Sequence, residues 1–276
     1  MIEDFLSEKQ KKKKKRRRRL WWRVGVLLVC AVGLCVVWVI TESPVLRIDH
    51  FAVAGNQAVS SGDVTTLLLG SMSLHRTFWS SILGINNMLI WPKALRASDV
   101  ALVPQLADVA IEKDYMNHTL TASVTERIPL AIWCEMPGTD ANGNPSGDES
   151  CFWFDNTGTL FQKAFDTEGS ELFAIHDYTG DRQGFGEKIL PDIFVPNILS
   201  ILGTLKASGL IVKEIALNDL SLEEVDASIY NGPTLYFSLR FSAADILPVL
   251  QQIIGNQNFN SLQYVDFRTE NRVYYK

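Results

Sequence analysis

A block of positive charge stands directly against a membrane-length apolar run, and no other feature restricts this chain so tightly. Lys9 and the unbroken series from Lys11 to Arg19 lead into the segment 20–40, in which Arg23 is the only charge. The apolar core 24–40 holds 17 residues, about 25 Å of helix at the usual rise. Leu20, Trp21 and Trp22 extend it toward the ~30 Å hydrocarbon thickness of a bilayer. Arg23 can carry its guanidinium back to the headgroups on its own apolar stem. Trp21 and Trp22 at one end and Trp38 near the other suit the interfacial aromatic belts of spanning helices.

Eleven positive charges lie between Lys9 and Arg23. A Lys/Arg excess marks the cytoplasmic flank of a span. The expected topology therefore has a basic cytoplasmic tail at 1–19, a transmembrane helix at 20–40 and an outer body from residue 44 onward. A removable signal sequence would end in small residues at a cleavage site. This run ends Trp38-Val39-Ile40-Thr41-Glu42, so the expectation is an uncleaved anchor in the cytoplasmic membrane. Because the basic run abuts the span, its expected contact is anionic lipid headgroups, not nucleic acid.

The net charge of −5 conceals two opposite halves. Residues 1–23 carry eleven positive and three negative charges, leaving 15 positive and 28 negative for the rest, a net of −13. An acidic outer body argues against a nucleic-acid role. The 236 residues after Ile40 suffice for one large or two modest domains. Of four cysteines, Cys30 and Cys35 lie within the span and read as small apolar residues. Cys134 and Cys151 lie outside, flanking the polar loop 135–150. They read either as a disulfide across the loop mouth, which the oxidising compartment favours, or as two free thiols on neighbouring strands.

Local patterns divide the outer body in two. Pro44 stops the first helix. Near-alternate apolar residues predict a strand over 45–54, closed by a Gly55-Asn56 turn. Residues 60–63 supply helix-start chemistry before Val64, Leu67 and Leu68. The stretch 71–90 is strongly apolar without a clean period, and reads as a short helix near 78–83 or an apolar flap. A short helix at 98–103 and strands at 109–113 and 120–125 follow. From Glu126 a second region begins, with strands at 130–133 and 152–155 about the cysteine loop and extended structure at 159–161. The polar stretch 166–187 holds one apolar patch, 172–175. Pro196 opens a helix that Gly209 ends. Strands at 211–217, 225–230 and 234–241 surround the hairpin signal Asn231-Gly232. Ser242 or Asp245 caps a last helix, Pro248 favouring the later start. Extended runs at 262–267 and 273–275 close the chain. The expected class is α+β: one transmembrane helix, a small domain, and a larger, mainly antiparallel β domain with helices on it.

Four segments in this order resemble the FtsQ/DivIB family of bacterial cell-division proteins. Residues 45–56 look like its first strand and Gly-Asn turn. Val124-Thr-Glu-Arg-Ile-Pro-Leu-Ala-Ile-Trp133 is similar to its V-x-E-R-x-P-x-A-x-W junction, and Phe154-Asp-Asn-Thr-Gly-Thr-Leu-Phe161 to the D-x-x-G-x-x-F hairpin that follows. Tyr264-Val-Asp-Phe-Arg268 is similar to its Y-[VI]-D-[LF]-R strand. The resemblance implies a POTRA domain at 44–127 and an FtsQ/DivIB-type β domain at 128–276. It implies a divisome scaffold at the division septum, in contact with FtsB/DivIC-type and FtsL-type single-span proteins and other divisome membrane proteins. Strand addition at the terminal edge is the expected device, with Tyr264, Asp266, Arg268, Asn271, Val273 and Tyr274 on or beside it. Phe51, Val53 and the exposed part of 71–90 form a second expected surface. Asp266 and Arg268 also read as an internal ion pair, and Phe51 and Val53 as core.

No catalytic constellation emerges. Asp155-Asn-Thr-Gly-Thr159 lacks the Lys of an aspartyl-phosphate motif and reads as a turn. The four histidines are scattered, without metal-ligand spacing. Glu223, Glu224 and Asp226 read as solvated strand-edge carboxylates. Asn117-His118-Thr119 matches a glycosylation sequon, a pattern frequent by chance. The expectation is a scaffold with no cofactor, no metal and no enzymatic activity. The competing expectation is a membrane-tethered extracytoplasmic cell-wall enzyme.

Overall fold

The structure, a computed structural model, describes residues 2–139, 145–146, 148–165, 172–256 and 258–276. Part of the cysteine-flanked loop, 140–144 and 147, and part of the following polar stretch, 166–171, lie outside the described residues. The chain is mixed α+β and forms two compact units. The first comprises residues up to Asn56, Ser60–Leu95 and Val109–Val124; the second comprises Gln57–Val59, Arg96–Asp108 and Thr125–Lys276.

In the first unit, helix α1 (Ile2–Glu42) runs without a break from the basic tail into the apolar run. Its segment Trp21–Glu42 is long and apolar enough to cross a membrane. Pro44 then opens a tight 3-10 turn, Pro44–Leu46. This turn shortens the expected strand: β1 spans only His50–Ala54. The intervening backbone is satisfied elsewhere, the Ile48 amide donating to Asn86 O at 2.7 Å. Helix α2 (Ser61–Leu74) starts where Ser60 Oγ accepts from the Asp63 amide at 3.1 Å, and buries Val64, Leu67 and Leu68. Helix α3 (Phe78–Leu83) occupies the stretch that lacks a clean period. Its sequence signal is the capping box, in which Thr77 and Ser80 bond each other's amides.

Helix α4 (Ala97–Val100), a single turn, belongs to the second unit. Strands β2 (Leu106–Asp114) and β3 (Thr119–Glu126) follow. The three-stranded sheet has the order β1-β3-β2, with β1 parallel to β3 and Phe51 opposite Leu120. After β1 the backbone must pass very close to β3. A Cβ on Gly55 would lie 2.4 Å from Val124 O, and its φ of +84 is one that residues with a Cβ rarely adopt.

The second unit is organised by a nine-stranded sheet. Strand β4 (Ala131–Glu135) precedes a short hairpin, β5 (Gly138–Thr139) and β6 (Pro145–Ser146). Then come β7 (Ser150–Phe154), β8 (Leu160–Ala164), β9 (Ala174–Asp177) and helix α5 (Val195–Ser208). Strands β10 (Val212–Leu217), β11 (Glu224–Ile229) and β12 (Thr234–Ser238) lead to helix α6 (Leu247–Ile254). Strands β13 (Tyr264–Asp266) and β14 (Tyr274–Tyr275) complete it. The order is β14-β13-β12-β11-β10-β9-β4-β7-β8.

The sheet is mixed, not simply antiparallel, because β9 pairs parallel with both β4 and β10, and β12 pairs parallel with β13. The sequence shows β9 only as an apolar patch. All four of its residues are buried, so the strand lacks the apolar–polar alternation of one with a wet face.

Helix α5 lays Ile198, Ile201, Leu202 and Leu205 against Trp133, Ile215, Ala227, Leu235 and Val265, forming the main core. Gly209 closes α5 in the left-handed conformation, φ +72. Neither Ser242 nor Asp245 caps α6. A 3-10 turn, Ala244–Ile246, leads into it, and Pro248 occupies the first turn, where no intrahelical amide is required. Strand alternation sends Ile132, Cys134 and Cys151 to the opposite face, where they form a smaller core with Ala164 and Ala174. Cys134 and Cys151 are direct cross-strand partners and are joined by a disulfide.

Candidate partner-docking surface

The terminal edge of the large sheet is assembled by two chain reversals. Asn231, in the left-handed region at φ +53, turns β11 into β12. Strand β13 adds parallel to β12, and a second reversal through Asn271, φ +60, lays β14 antiparallel on β13. Strand β14 is the outermost strand, and only β13 lies beside it among the described residues.

Alternation gives this edge two different faces. Leu235, Phe237, Val265 and Phe267 point into the main core, with the rings of Phe237 and Phe267 stacked at 5.6 Å. The register aligns Asp226, Tyr236, Asp266 and Tyr274 as one row across four strands on the other face. Tyr236 and Tyr264 lie beside one another, ring centroids 6.0 Å apart.

Arg268 ties this face together. Its guanidinium donates to both oxygens of Asp266, at 2.9 and 2.6 Å, and to Glu224 Oε2 on β11 at 2.7 Å. It also lies 4.9 Å from the centre of the Tyr236 ring. The Arg268 hydrogen bonds hold the Asp266 carboxyl below the usual carboxylate range, against a smaller opposing effect of burial. The bonds to Asp266 and then Glu224 raise the Arg268 guanidinium above its ordinary value. Asp226 behaves differently: burial raises its carboxyl, and the nearby Arg268 charge offsets this only in part.

All six residues expected at the edge are therefore brought together, in four different roles. Asp266 and Arg268 face each other. Val273 is half-buried against the main core, and Asn271 serves the reversal. Tyr264 is half-buried on the aromatic row, while Tyr274 is exposed. Glu224 and Tyr236 complete this face, and the exposed Tyr275, paired with Val265, lies on the other side of the edge; none of the three was singled out by sequence as a member. The available signal for Tyr236 is its place in β12, out of phase with Leu235 and Phe237.

Glu223 and Glu224, expected to be solvated, keep part of their side-chain surface exposed and also find basic partners. Glu223 meets Arg240 at 2.7 Å and Glu224 meets Arg268, because the sheet register brings these distant basic residues alongside them. Cys134 and Cys151 belong to other strands of the sheet and take no part in this edge. In the first unit, Phe51 is partly exposed and packs edge-to-face on Trp91 at 5.6 Å, while Val53 is half-buried.

The quoted motif residues make structural clasps. Glu126 accepts from the successive amides of Gln57, Ala58 and Val59 at 2.7 to 3.0 Å. Burial opposes its ionisation, but these three amides hold it below the ordinary range. Arg127 Nη1 meets Asp155 Oδ2 at 2.5 Å. Asp155 Oδ1 accepts from the amides of Thr157 and Thr159, so the D-N-T-G-T segment is a braced turn.

Two buried carboxyls, Glu135 and Asp177, are raised chiefly by burial. Each accepts from a turn amide, that of Gln183 at 2.7 Å and that of Thr179 at 2.9 Å respectively. Asp177 lines a cavity of about 360 Å³ with Thr179, Asp181, Gln183 and Lys188. The ligand atoms of Cys134, Glu149 and Cys151 lie within 4.8 Å of one another. Both sulfurs are held in the disulfide, so neither is a free thiolate for a metal. No family model and no curated protein matches the chain.

Proposed function

We propose that this chain is a membrane-anchored scaffold of the FtsQ/DivIB type, with a POTRA domain and a distal β domain outside the cytoplasmic membrane. In this reading it has no catalytic role and needs no cofactor. It docks FtsB/DivIC-type and FtsL-type single-span proteins during septum formation, and α1 holds it in the membrane with its basic tail inside.

The observation that carries the reading is the terminal edge. Strand β14 is short and outermost, and it adjoins a face that Arg268 has already organised. An outermost strand offers backbone donors and acceptors that a partner strand can satisfy. Tyr274 and Tyr275, both exposed, supply the large, stiff side chains favoured where partners bind.

The test is capture of purified FtsB/DivIC-type and FtsL-type proteins by the full-length chain in detergent micelles. Wild type should retain them, and a variant ending at Arg272 should not. Equal retention by both would eliminate the edge as the docking site. A hydrolase or transferase activity that stays with the purified chain would instead favour a cell-wall enzyme.

A further inference from the structure

We infer that helix α3 and its flanks form a second, monotopic membrane contact, seated in the headgroup layer of the leaflet from which α1 emerges. The inference rests on the proposed reading of α1 as a membrane span. It concerns only the first compact unit.

The starting point is a concentration of exposed apolar side chains. Leu74, Phe78, Trp79, Ile82, Ile85 and Leu89 are each at least 40% exposed, with Phe78 at 73% and Trp79 at 63%. A few scattered apolar residues on a surface need no explanation, but six within 16 residues of sequence form a patch that water disfavours. None of the residues of α3 is buried, so this helix does not serve the core of its own unit.

Position then selects the occupant. Helix α3 packs beside α1. Just after it, Asn87 Nδ2 donates to Ile40 O at 3.0 Å, at the end of the apolar run. Asn87 is itself buried, and its Oδ1 accepts from the Leu89 amide at 3.0 Å. The patch is therefore fastened to the level at which α1 leaves the hydrocarbon. Trp and Phe at that depth place their rings among the headgroups, as Trp38 would on α1 itself.

Charge agrees with this placement. The outer body is strongly acidic, yet residues 64–95 contain no Asp or Glu, and their only full charges are Arg76 and Lys93. Absence of carboxylates removes the repulsion that would keep an acidic surface away from an anionic leaflet. A protein partner would also cover apolar side chains. It would not account for a patch fastened to the end of the span.

Lipid quenching of tryptophan tests the inference. The full-length chain is reconstituted in vesicles of phosphatidylcholine and phosphatidylglycerol in equal parts. The phosphatidylcholine is brominated either near the headgroup or deep in the acyl chain. The emission difference between wild type and Trp79→Phe isolates Trp79. It should be lost with shallow bromines, largely kept with deep ones, and shielded from aqueous iodide. Quenching by iodide without quenching by bromolipid would overturn the contact, as would protection from both, the sign of a protein neighbour. The corresponding Trp38→Phe difference reports α1 separately. If bromolipid fails to quench Trp38, the span reading itself falls.

Discussion

Arg127 and Asp155 form an almost enclosed ion pair, Nη1 to Oδ2 at 2.5 Å, with side chains only 15% and 6% exposed. The pair joins the segment after β3 to the turn between β7 and β8. Arg127 also donates through Nε to Pro104 O at 2.9 Å. Burial alone would raise the Asp155 carboxyl, but the Thr157 hydroxyl, the Thr159 amide and Arg127 outweigh it and hold it below the ordinary range. Removing one partner from such a pair strands the other in a poorly hydrated site. Arg127→Ala should cost about 3–5 kcal/mol in urea unfolding. A loss near zero would show that water replaces the guanidinium.

The same carboxyl sets an acid limit. Its folded value lies below its unfolded value, so its contribution is complete above the unfolded pKa, about 4. It is then lost as pH falls through the folded value. The stability gap between wild type and Asp155→Asn should therefore close on acidification. A gap that persists unchanged in strong acid would exclude the linkage.

Asp177 should show the opposite sign. Its carboxyl is raised by burial, so the folded state resists its ionisation, and the penalty appears as pH rises past the unfolded value. Asp177→Asn keeps an oxygen able to accept from the Thr179 amide. This variant should be more stable than wild type at neutral pH and indistinguishable from it in acid. Lower stability at neutral pH would mean that the charged carboxylate is required.

Cys134 and Cys151 close a 16-residue loop between adjacent strands. By the chain-entropy estimate the cross-link contributes about 3 kcal/mol. Oxidised protein should gain the mass of two hydrogen atoms on reduction by a thiol reductant and unfold at lower urea, while Cys134→Ala/Cys151→Ala should behave like the reduced form. An unchanged mass would rule the bridge out.

Docking and folding should separate at the terminal edge. Tyr274 is 49% exposed and, paired with Asp266, lies on the face away from the main core, so Tyr274→Ala should alter stability by less than about 0.5 kcal/mol while weakening partner capture. Arg268→Ala should reduce both, because Glu224 and Asp266 lose their common partner. Thermal unfolding beside a capture titration distinguishes them. Undiminished capture by Tyr274→Ala would remove this tyrosine from the docking surface.

Much of the local structure was legible in the sequence. Ser60 before an apolar 3.6 period marked α2, Pro196 and Gly209 bracketed α5, and Asn231-Gly232 marked the hairpin. Each depends on neighbours close in the chain, through a capping hydroxyl, a missing amide or a permitted positive φ. Expectations failed where the deciding partner was remote. The strand expected over 45–54 was shortened when Ile48 found Asn86. The cap expected at Ser242 or Asp245 gave way to a 3-10 turn, where the Ala243 amide found Ser200 Oγ. The expected six edge residues were individually visible, but their division into clamp, core, turn and exposed roles was not.

The sequence by itself determined the charge-flanked apolar segment, long enough for a membrane, and the alternation that separates Val265 and Phe267 from Asp266 and Arg268. These are properties of composition and short-range period. Only the tertiary structure decided that β9 lies parallel between β4 and β10, that β14 ends the sheet, and that Glu224 belongs to Arg268. Strand order and register join residues tens of positions apart. They are selected by the burial of a whole sheet face against α5 and α6, which no local segment encodes.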